Sequence, residues 1–406
     1  MTEEWVTKVI DEVAQYGKQD FGICREAFSE ADEKARKYII KLMEEAGLTV
    51  RTDEIGNIIG RMEVPNSKAP AVATGSHLDT VPGGGKYDGV VGVVGGLAAI
   101  LRLKDKKLSH PIELIVFAAE ESSRFAFATM GSKAMAGRAN IHAWRKAKDQ
   151  EGNRFLDVLA SRGLDIENVA KAARYSSELK AFVELHIEQG NILESQGGSI
   201  GIVDVIAAPT RLKITVEGTS NHSGTTPMDT RRDALVSASM VVLAIQEIGL
   251  EQSYYGTVAT VGALKVHPGA INVIPGRVEM WVDIRGVNHN SIIECLQDIK
   301  DAVSTVADGQ DTSISIEMLS SEKPVEMDQS IIKVIEGVCS SRDLSVVRIN
   351  SGAGHDAMNM ASLAPTGMIL IPSVNGISHS VDEYTSPQNI EIGIQVLTET
   401  LYELAK

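Results

Sequence analysis

The chain has 406 residues, of which 54 are acidic and 39 basic, giving a net charge of −15 at pH 7. This length suits two domains, or one catalytic domain with a module built into it, and the ordinary globular composition excludes a disordered or low-complexity protein. The excess of negative charge disfavours binding to nucleic acid or to anionic membranes.

The cysteines and the N-terminal segment indicate a cytoplasmic protein. Cys24, Cys295 and Cys339 are odd in number, widely spaced and without a CxxC pair, which fits a reducing compartment. The first residues alternate charged and apolar side chains at helical spacing, without the basic start and apolar core of a signal peptide. No apolar run approaches the roughly 20 residues of a membrane-spanning helix.

The first third of the chain predicts alternating helices and strands. Amphipathic stretches near 2–16 and 30–46 predict helices, and residues 70–79 and 112–121 predict strands. The run IELIVFAA is apolar without alternation, as in a central strand buried on both faces. We therefore expect an α/β fold with a mostly parallel, helix-covered sheet. In such sheets ligands bind beyond the carboxyl ends of the strands.

A different pattern from about residue 209 predicts an inserted module. Strand, helix, two strands, helix and strand follow one another, which is the order of a ferredoxin-like α+β domain. We place this insert at 209–326. Residues 1–208 and 327–406 then form one catalytic domain interrupted by it.

Five potential metal ligands follow predicted strands or lie at their ends. They are His77, Asp88, Glu121, His186 and His379. Imidazole and carboxylate groups are ligands for zinc, manganese, cobalt and nickel. Five exceed the three protein ligands of a usual catalytic zinc, so two metals sharing one carboxylate would explain the number. Asp88 is the natural bridge, because glycines near it let the backbone pass close to the metals.

We expect supporting roles for carboxylates that lie close to these ligands in the sequence. Asp79, two residues after His77, can accept the second N–H of that imidazole and fix its tautomer. Glu120 and Glu121 follow a deeply apolar run, where two carboxylates need a partner. A metal supplies a partner for one of them, which leaves the other to act as a base.

Several other interpretations compete with this one. A single histidine after a strand is more often an ordinary residue than a ligand, and four others have no such context. These are His110, His142, His267 and His289. The glycine-rich segment around Asp88 suggests nucleotide binding, but it lacks both the dinucleotide fingerprint and a phosphate-binding GKS or GKT. No GxSxG or reactive-cysteine setting is present. A non-catalytic metal-binding scaffold is a further alternative, and it would hold metal without catalysing a reaction.

Six motifs in order resemble a known family of dinuclear-metal amidohydrolases. The motifs are GSHLDTVPGGGKYDG, AAEESSRF, ELHIEQG, NHSGTTPM, SGAGHDA and GISHS. The family includes N-carbamoyl-L-amino-acid hydrolases, allantoate amidohydrolases and ureidopropionases, with aminoacylases and zinc exopeptidases as wider relatives. The resemblance covers nearly the whole chain. It implies that the insert is a lid and dimerisation domain and that the protein is a homodimer.

The resemblance also implies roles for individual residues. His77 and His186 would bind one metal, Glu121 and His379 the other, and Asp88 would bridge them. Glu120 would be the general base. One departure is Ser122, which stands where many relatives have glycine.

Five more residues match substrate-binding positions of that family. They are Gln189, His222, Asn272, Arg285 and His355. Arg285 suits a substrate carboxylate, since a planar guanidinium binds carboxylates through two hydrogen bonds. His222 would contact the substrate amide oxygen from its own or a partner's insert, or else be an ordinary turn residue.

The predicted reaction is metal-dependent hydrolysis of a carbamoyl or ureido C–N bond in a small carboxylate-bearing substrate. An N-carbamoyl-L-amino acid is favoured, releasing the amino acid, CO2 and ammonia. Allantoate and β-ureido acids are alternatives, and N-acyl amino acids or peptides are more distant ones. We expect two divalent metal ions per subunit, zinc, manganese, cobalt or nickel.

Overall fold

A computed structural model describes residues 2–406 of the chain. Its strands are β1 Lys18–Gln19, β2 Gly22–Ile23, β3 Thr49–Thr52, β4 Ile58–Met62, β5 Ala71–His77, β6 Ile112–Phe117, β7 Leu179–Ile187, β8 Ile200–Ile206, β9 Ala208–Glu217, β10 Thr257–His267, β11 Arg277–Gly286, β12 Ser313–Ser321, β13 Val325–Glu326, β14 Val346–Ser351 and β15 Thr366–Ile371. Its α-helices are α1 Glu3–Val13, α2 Glu30–Glu45, α3 Val90–Leu103, α4 Met130–Met135, α5 Ile141–Trp144, α6 Phe155–Ser161, α7 Ile192–Gln196, α8 Ala234–Ser253, α9 His289–Gln310, α10 Gln329–Ser341, α11 Ala357–Met360 and α12 Pro387–Ala405.

The chain divides into two compact units. The first contains the residues up to Asp204, Glu326–Ser351 and His355–Lys406, and the second contains Val205–Val325 and Gly352–Gly354. For comparison, the insert predicted from the sequence spans residues 209–326.

A nine-stranded sheet forms the centre of the first unit. Its main path runs β13-β8-β15-β7-β5-β6-β4-β3, and β14 pairs with β8. The four middle strands, β15, β7, β5 and β6, pair in parallel, whereas β4 pairs with β6 and β8 with β15 in antiparallel fashion. The predicted mixed α/β fold is confirmed.

Complete burial of the middle strands explains why their sequences are mostly apolar and do not alternate. Every residue of β5, β6 and β15 is buried. Helix α3 packs on this sheet and is itself apolar on all sides, with a single charged residue, Arg102, in its last turn. A helix that is apolar all round is stable only inside a protein. The carboxyl ends of the parallel strands therefore extend from strands that are fully buried.

The second unit is a four-stranded antiparallel sheet with two helices. The strand order is β10-β11-β9-β12, and all three pairs are antiparallel; the β9–β11 ladder is continuous, whereas the β10–β11 and β9–β12 ladders each contain one register shift. The residues of β9 and β11 alternate between buried and partly exposed, since one face of the sheet packs against α8 and α9. This is the strand and helix order that the sequence predicts.

Among residues 2–406, one helix is long and apolar enough to cross a membrane by length and composition alone. It is α8, Ala234–Ser253, with 33% of the apolar window buried. Its inner face packs in the core of the second unit through Ala238, Val241 and Ile245. The helix thus belongs to a globular core, with an apolar outer face.

Candidate metal centre

Three side chains converge at the carboxyl ends of β5 and β7. His77 is the last residue of β5, and His186 lies within β7 rather than after it as the sequence suggests. The Nε2 atoms of His77 and His186 lie 3.6 Å and 3.1 Å from Oδ1 of Asp88. All three residues are buried. We refer to them as the inner triad.

A second group shares the same aspartate. His379 Nε2 lies 3.1 Å from Oδ2 of Asp88 and 3.4 Å from Oε1 of Glu121. In contrast to the inner triad, the side chain of His379 is 50% exposed, and its backbone has a φ of 54°. Asp88, Glu121 and His379 form what we call the outer triad. In each triad the potential ligand atoms lie within 4.8 Å of one another.

The backbone beside Asp88 requires glycine. Gly89 has a φ of +67°, and a Cβ atom there would lie 2.6 Å from the ring of His77. A side chain at this position would therefore both strain the backbone and displace a potential ligand. The close approach that the glycine-rich sequence predicts is thus realised at His77.

Burial of several carboxylates together, with repulsion between them as a smaller contribution, indicates that a cation belongs here. Burial raises the pKa of Glu120 well above its usual range, and Glu121 adds to the effect. Burial and the charge of Asp88 raise the pKa of Glu121 to about 7. At Asp88 burial acts in the same direction, but hydrogen bonds with His186, His379 and His77 outweigh it and hold its pKa well below its usual range. Nitrogen and oxygen donors around buried carboxylates fit divalent metal ions.

The role of Asp79 differs from the predicted one. The backbone carbonyl of Asp79 lies 2.9 Å from Nδ1 of His77, whereas the nearest carboxylate oxygen lies 3.8 Å away. Instead the carboxylate accepts the backbone N–H groups of Glu120 and Glu121, at 3.3 Å and 3.0 Å. The imidazole is still oriented by this residue, but through the main chain. The side chain positions the paired glutamates.

Gln189 contacts the shared aspartate. Its Nε2 donates to Oδ2 of Asp88 at 2.9 Å, and its backbone N–H donates to Ser373 Oγ. Its Oε1 is buried and has no hydrogen-bond partner. An unpaired buried oxygen is costly, so the amide is placed to meet another donor.

His355 is buried beside His186, with ring centroids 4.6 Å apart. Burial and the neighbouring His186 lower the pKa of His355 well below its usual range, so it is neutral at pH 7. Its Nε2 lies 2.8 Å from Ser351 Oγ. His186, His355 and the buried Glu184 also form a third group with potential ligand atoms within 4.8 Å.

Two buried carboxylates in this region, Glu184 and Asp356, were not predicted from the sequence. Glu184 accepts hydrogen bonds from Ser76 Oγ and from the backbone N–H of Ala357, so both its oxygens have partners. Asp356 is completely buried and accepts from Ser132 Oγ at 2.5 Å. A carboxylate inside the otherwise apolar run of β7 was the available signal for Glu184.

The remaining predicted substrate residues belong to the second unit. His222 and Asn272 lie in adjoining loops, where Ser223 N–H donates to the carbonyl of Asn272 and Gly224 N–H donates to Nδ1 of His222. Arg285 lies on β11, and its Nε donates to Asp283 at 2.8 Å. Arg285 Nη1 also reaches the carbonyl of Gly352. Both loops expose their polar groups.

A buried cluster of imidazoles and carboxylates at the carboxyl edge of a mixed α/β sheet defines a candidate metal-dependent hydrolase. Residues 73–403 match the model of the peptidase family M20/M25/M40. The chain belongs to this family, whose enzymes are metal-dependent. It is an amidohydrolase acting on C–N amide bonds other than peptide bonds, like its full-length relatives.

Relatives extend over nearly the whole chain. An uncharacterized hydrolase of Haemophilus influenzae is 41% identical over 99% of this chain and 98% of its own. An N-carbamoyl-L-amino acid amidohydrolase of Geobacillus stearothermophilus is 37% identical over 97% of both chains. The crystal structure of an amidase of the hydantoinase/carbamoylase family from Burkholderia vietnamiensis is 36% identical, covers 100% of this chain and 97% of its own, and has a TM-score of 0.89. Other relatives are named allantoate amidohydrolase and ureidoglycolate hydrolase.

Proposed function

We propose that the chain hydrolyses an N-carbamoyl-L-amino acid at its carbamoyl C–N bond with two divalent metal ions per subunit. The observation that carries this proposal is the position of Asp88. One of its oxygens faces His77 and His186, and the other faces His379. A carboxylate with each oxygen turned to a separate set of ligands is suited to bridging two cations.

The two triads would hold one cation each. The inner cation would take His77 and His186, the outer one would take Glu121 and His379, and both would share Asp88. Two bound cations would lower the pKa of a water molecule to roughly 7 and polarise the substrate carbonyl. Zinc, manganese, cobalt and nickel all accept these donor atoms.

Glu120 is the proposed general base. Its carboxylate is buried, and Oε2 lies 3.9 Å from Nε2 of His77. It is therefore next to the inner triad without belonging to it. It would accept the proton of the attacking water and donate it to the leaving nitrogen, a role worth about 10² to 10⁴ in rate.

The second unit would supply substrate contacts. Arg285 would bind the α-carboxylate, and Asp283 would orient its guanidinium through the existing hydrogen bond. His222 and Asn272 would donate to the substrate amide oxygen; a donor to a developing oxyanion is worth about 2.7–4 kcal/mol. Gln189 and His355 would contact the substrate beside Asp88 and His186.

We further propose a homodimer formed through the second unit. Helix α8 exposes apolar side chains that share one helical face; these are Val236, Met240, Leu243 and Leu250. Strand β10 lies at the edge of its sheet and also exposes Val258. An exposed edge strand and an apolar helix face both favour pairing with a second copy. The three free cysteines support a cytoplasmic location.

The dimer can be tested by one substitution and a matched control. Leu243→Glu places a charge on the apolar face of α8, whereas Gln297→Glu places the same charge on an exposed position of α9. In sedimentation velocity, wild type and the control variant should be dimers, whereas Leu243→Glu should be a monomer. A wild-type monomer, or equal behaviour of the two variants, would contradict the proposal.

The activity is tested by ammonia release after metal reconstitution. Chelated protein is reloaded with zinc, manganese, cobalt or nickel and assayed on carbamoyl amino acids, allantoate, ureidoglycolate, β-ureido acids and N-acetyl amino acids. We expect the highest kcat/KM for an N-carbamoyl-L-amino acid. Faster turnover of allantoate or another ureido acid would reassign the substrate, and faster release of amino acid from an N-acetyl amino acid, which yields no ammonia, would overturn the carbamoyl assignment. No ammonia from any carbamoyl or ureido compound would refute the proposed reaction.

A further inference from the structure

A buried glutamate outside both triads joins the two loops that carry the outer ligands. Glu383 follows His379 by four residues, and only 4% of its surface is exposed. Its Oε1 accepts the backbone N–H groups of Tyr87 and Asp88, at 2.9 Å and 3.1 Å. Its Oε2 accepts the hydroxyl of Ser378 at 2.8 Å. One carboxylate thus bridges the residue next to His379 and the backbone of Asp88.

The Asp88 loop is shaped to receive this side chain. A Cβ atom on Gly85 would lie 2.3 Å from Oε1 and 2.4 Å from Cβ of Glu383, so only glycine leaves room for it. Beside this contact, the rings of Tyr87 and Tyr384 meet edge to face, with centroids 5.9 Å apart. The two loops are therefore packed around Glu383.

The position is electrostatically unfavourable for a carboxylate in the metal-free protein. Burial raises the pKa of Glu383, and the nearby charge of Asp88 raises it further. Glu383 therefore adds a further buried acidic group next to Asp88. Cations at Asp88 would turn this repulsion into attraction.

The two triads differ in how much they need such support. The imidazoles of His77 and His186 belong to central strands, and each has Nδ1 within 2.9 Å of a backbone carbonyl oxygen. His379 lies on an exposed loop with left-handed backbone geometry. The hydrogen bond of its neighbour Ser378 to Glu383 connects this loop to the Asp88 loop.

We propose that Glu383 is a positioning residue that holds His379 and Asp88 together and thereby sets the affinity of the outer triad for its metal ion. This inference rests on the proposed two-metal function. Partners of metal ligands typically contribute 10- to 100-fold in metal affinity. The effect is selective, because the inner triad keeps His77 and His186 in the sheet when Glu383 is removed.

The test is a zinc titration of chelated protein by equilibrium dialysis, for wild type, Glu383→Ala and Glu383→Gln. We expect two zinc ions per wild-type chain. Glu383→Ala should weaken the second ion 10- to 100-fold and leave the first within about threefold. Glu383→Gln should weaken it less, because an amide oxygen still accepts from Tyr87 and Asp88.

A matched control removes another buried glutamate. Glu113 lies near the amino end of β6 and is 2% exposed, with its carboxylate bound to Arg61 and Arg174. Glu113→Ala lowers the unfolding temperature without touching the metal centre, so both zinc affinities should stay at wild-type values. Equal weakening of the outer site by this control would assign the effect to general destabilisation.

The outcomes separate this inference from the function on which it rests. A wild-type chain that binds fewer than two zinc ions refutes the two-metal function and the role of Glu383 with it. Two wild-type ions with unchanged affinities in Glu383→Ala refute the role of Glu383 alone. If Glu383→Ala does not fold, Ser378→Ala decides, because it removes the hydroxyl that links the His379 loop to Glu383. A second-ion affinity equal to wild type in that variant would overturn the proposal.

Discussion

The inner and outer triads share Asp88 but are built in different ways. His77 and His186 belong to adjacent parallel strands and are almost completely buried. His379 lies on a loop, and half of its side chain is exposed. The sheet thus holds the inner ligands in place before any metal binds. The outer ligands depend on contacts between loops, so we expect the outer ion to bind more weakly and to exchange faster.

The largest loss of activity is predicted for a change at Glu120, which lies beside the inner triad. Glu120→Gln should lower kcat by about 10² to 10⁴, because the amide cannot accept the proton of the attacking water. The residue lies beside His77 without sharing its position in the triad, so both metal ions should remain bound. Steady-state ammonia release and metal analysis of the same sample measure the two quantities. Near-normal turnover with two ions bound would remove Glu120 as the base.

The rates at which the two metal ions leave the protein test whether the two triads differ. During dialysis against a chelator, one ion per chain should leave about 10- to 100-fold faster than the other, in line with its looser support. His379→Ala should abolish the fast phase and keep the slow one, measured as metal content against time. Two ions leaving at one common rate, or loss of the slow phase in His379→Ala, would show that the triads do not differ.

A smaller effect is predicted for the pH dependence of the unfolding free energy of the metal-free protein. The pKa of Glu121 is raised from 4.5 to about 7 by burial and by Asp88, so the folded state keeps a proton that the unfolded state releases in this range. The unfolding free energy should therefore fall as pH rises from about 5 to 7, by on the order of 3 kcal/mol from this group.

Glu121→Gln removes that titration and provides the comparison. Urea unfolding of the chelated proteins at pH 5 and pH 7.5 should show a smaller loss for the variant than for wild type. Equal losses would mean that Glu121 is not the group that titrates. Saturating metal should reverse the wild-type trend, because cations favour the ionised carboxylates.

Much of the inner triad could be predicted from the sequence because buried parallel strands leave a clear trace. The mostly apolar runs before His77 and Glu120 marked strand ends, and the carboxyl ends of such strands meet at one edge. The end of β7 was less clear, since an imidazole facing the site does not interrupt backbone pairing. His186 therefore lies inside a strand.

The supporting contacts could not be predicted in the same way. The hydrogen bond between Glu383 and the backbone of Asp88 joins residues 295 positions apart and depends on loop conformations that have no periodic pattern. The contacts of the Asp79 carboxylate also join separate segments, since it accepts the backbone N–H groups of Glu120 and Glu121, 41 and 42 positions further along the chain. Such details are set by tertiary packing.

The sharing of Asp88 by two metal ions is tested most directly by a crystal of zinc-loaded protein measured at the zinc absorption edge. We expect two anomalous peaks, one between His77 and His186 and one between Glu121 and His379, with Asp88 contacting both. A single peak, or a peak among Glu184, His186 and His355 in place of the inner one, would contradict it.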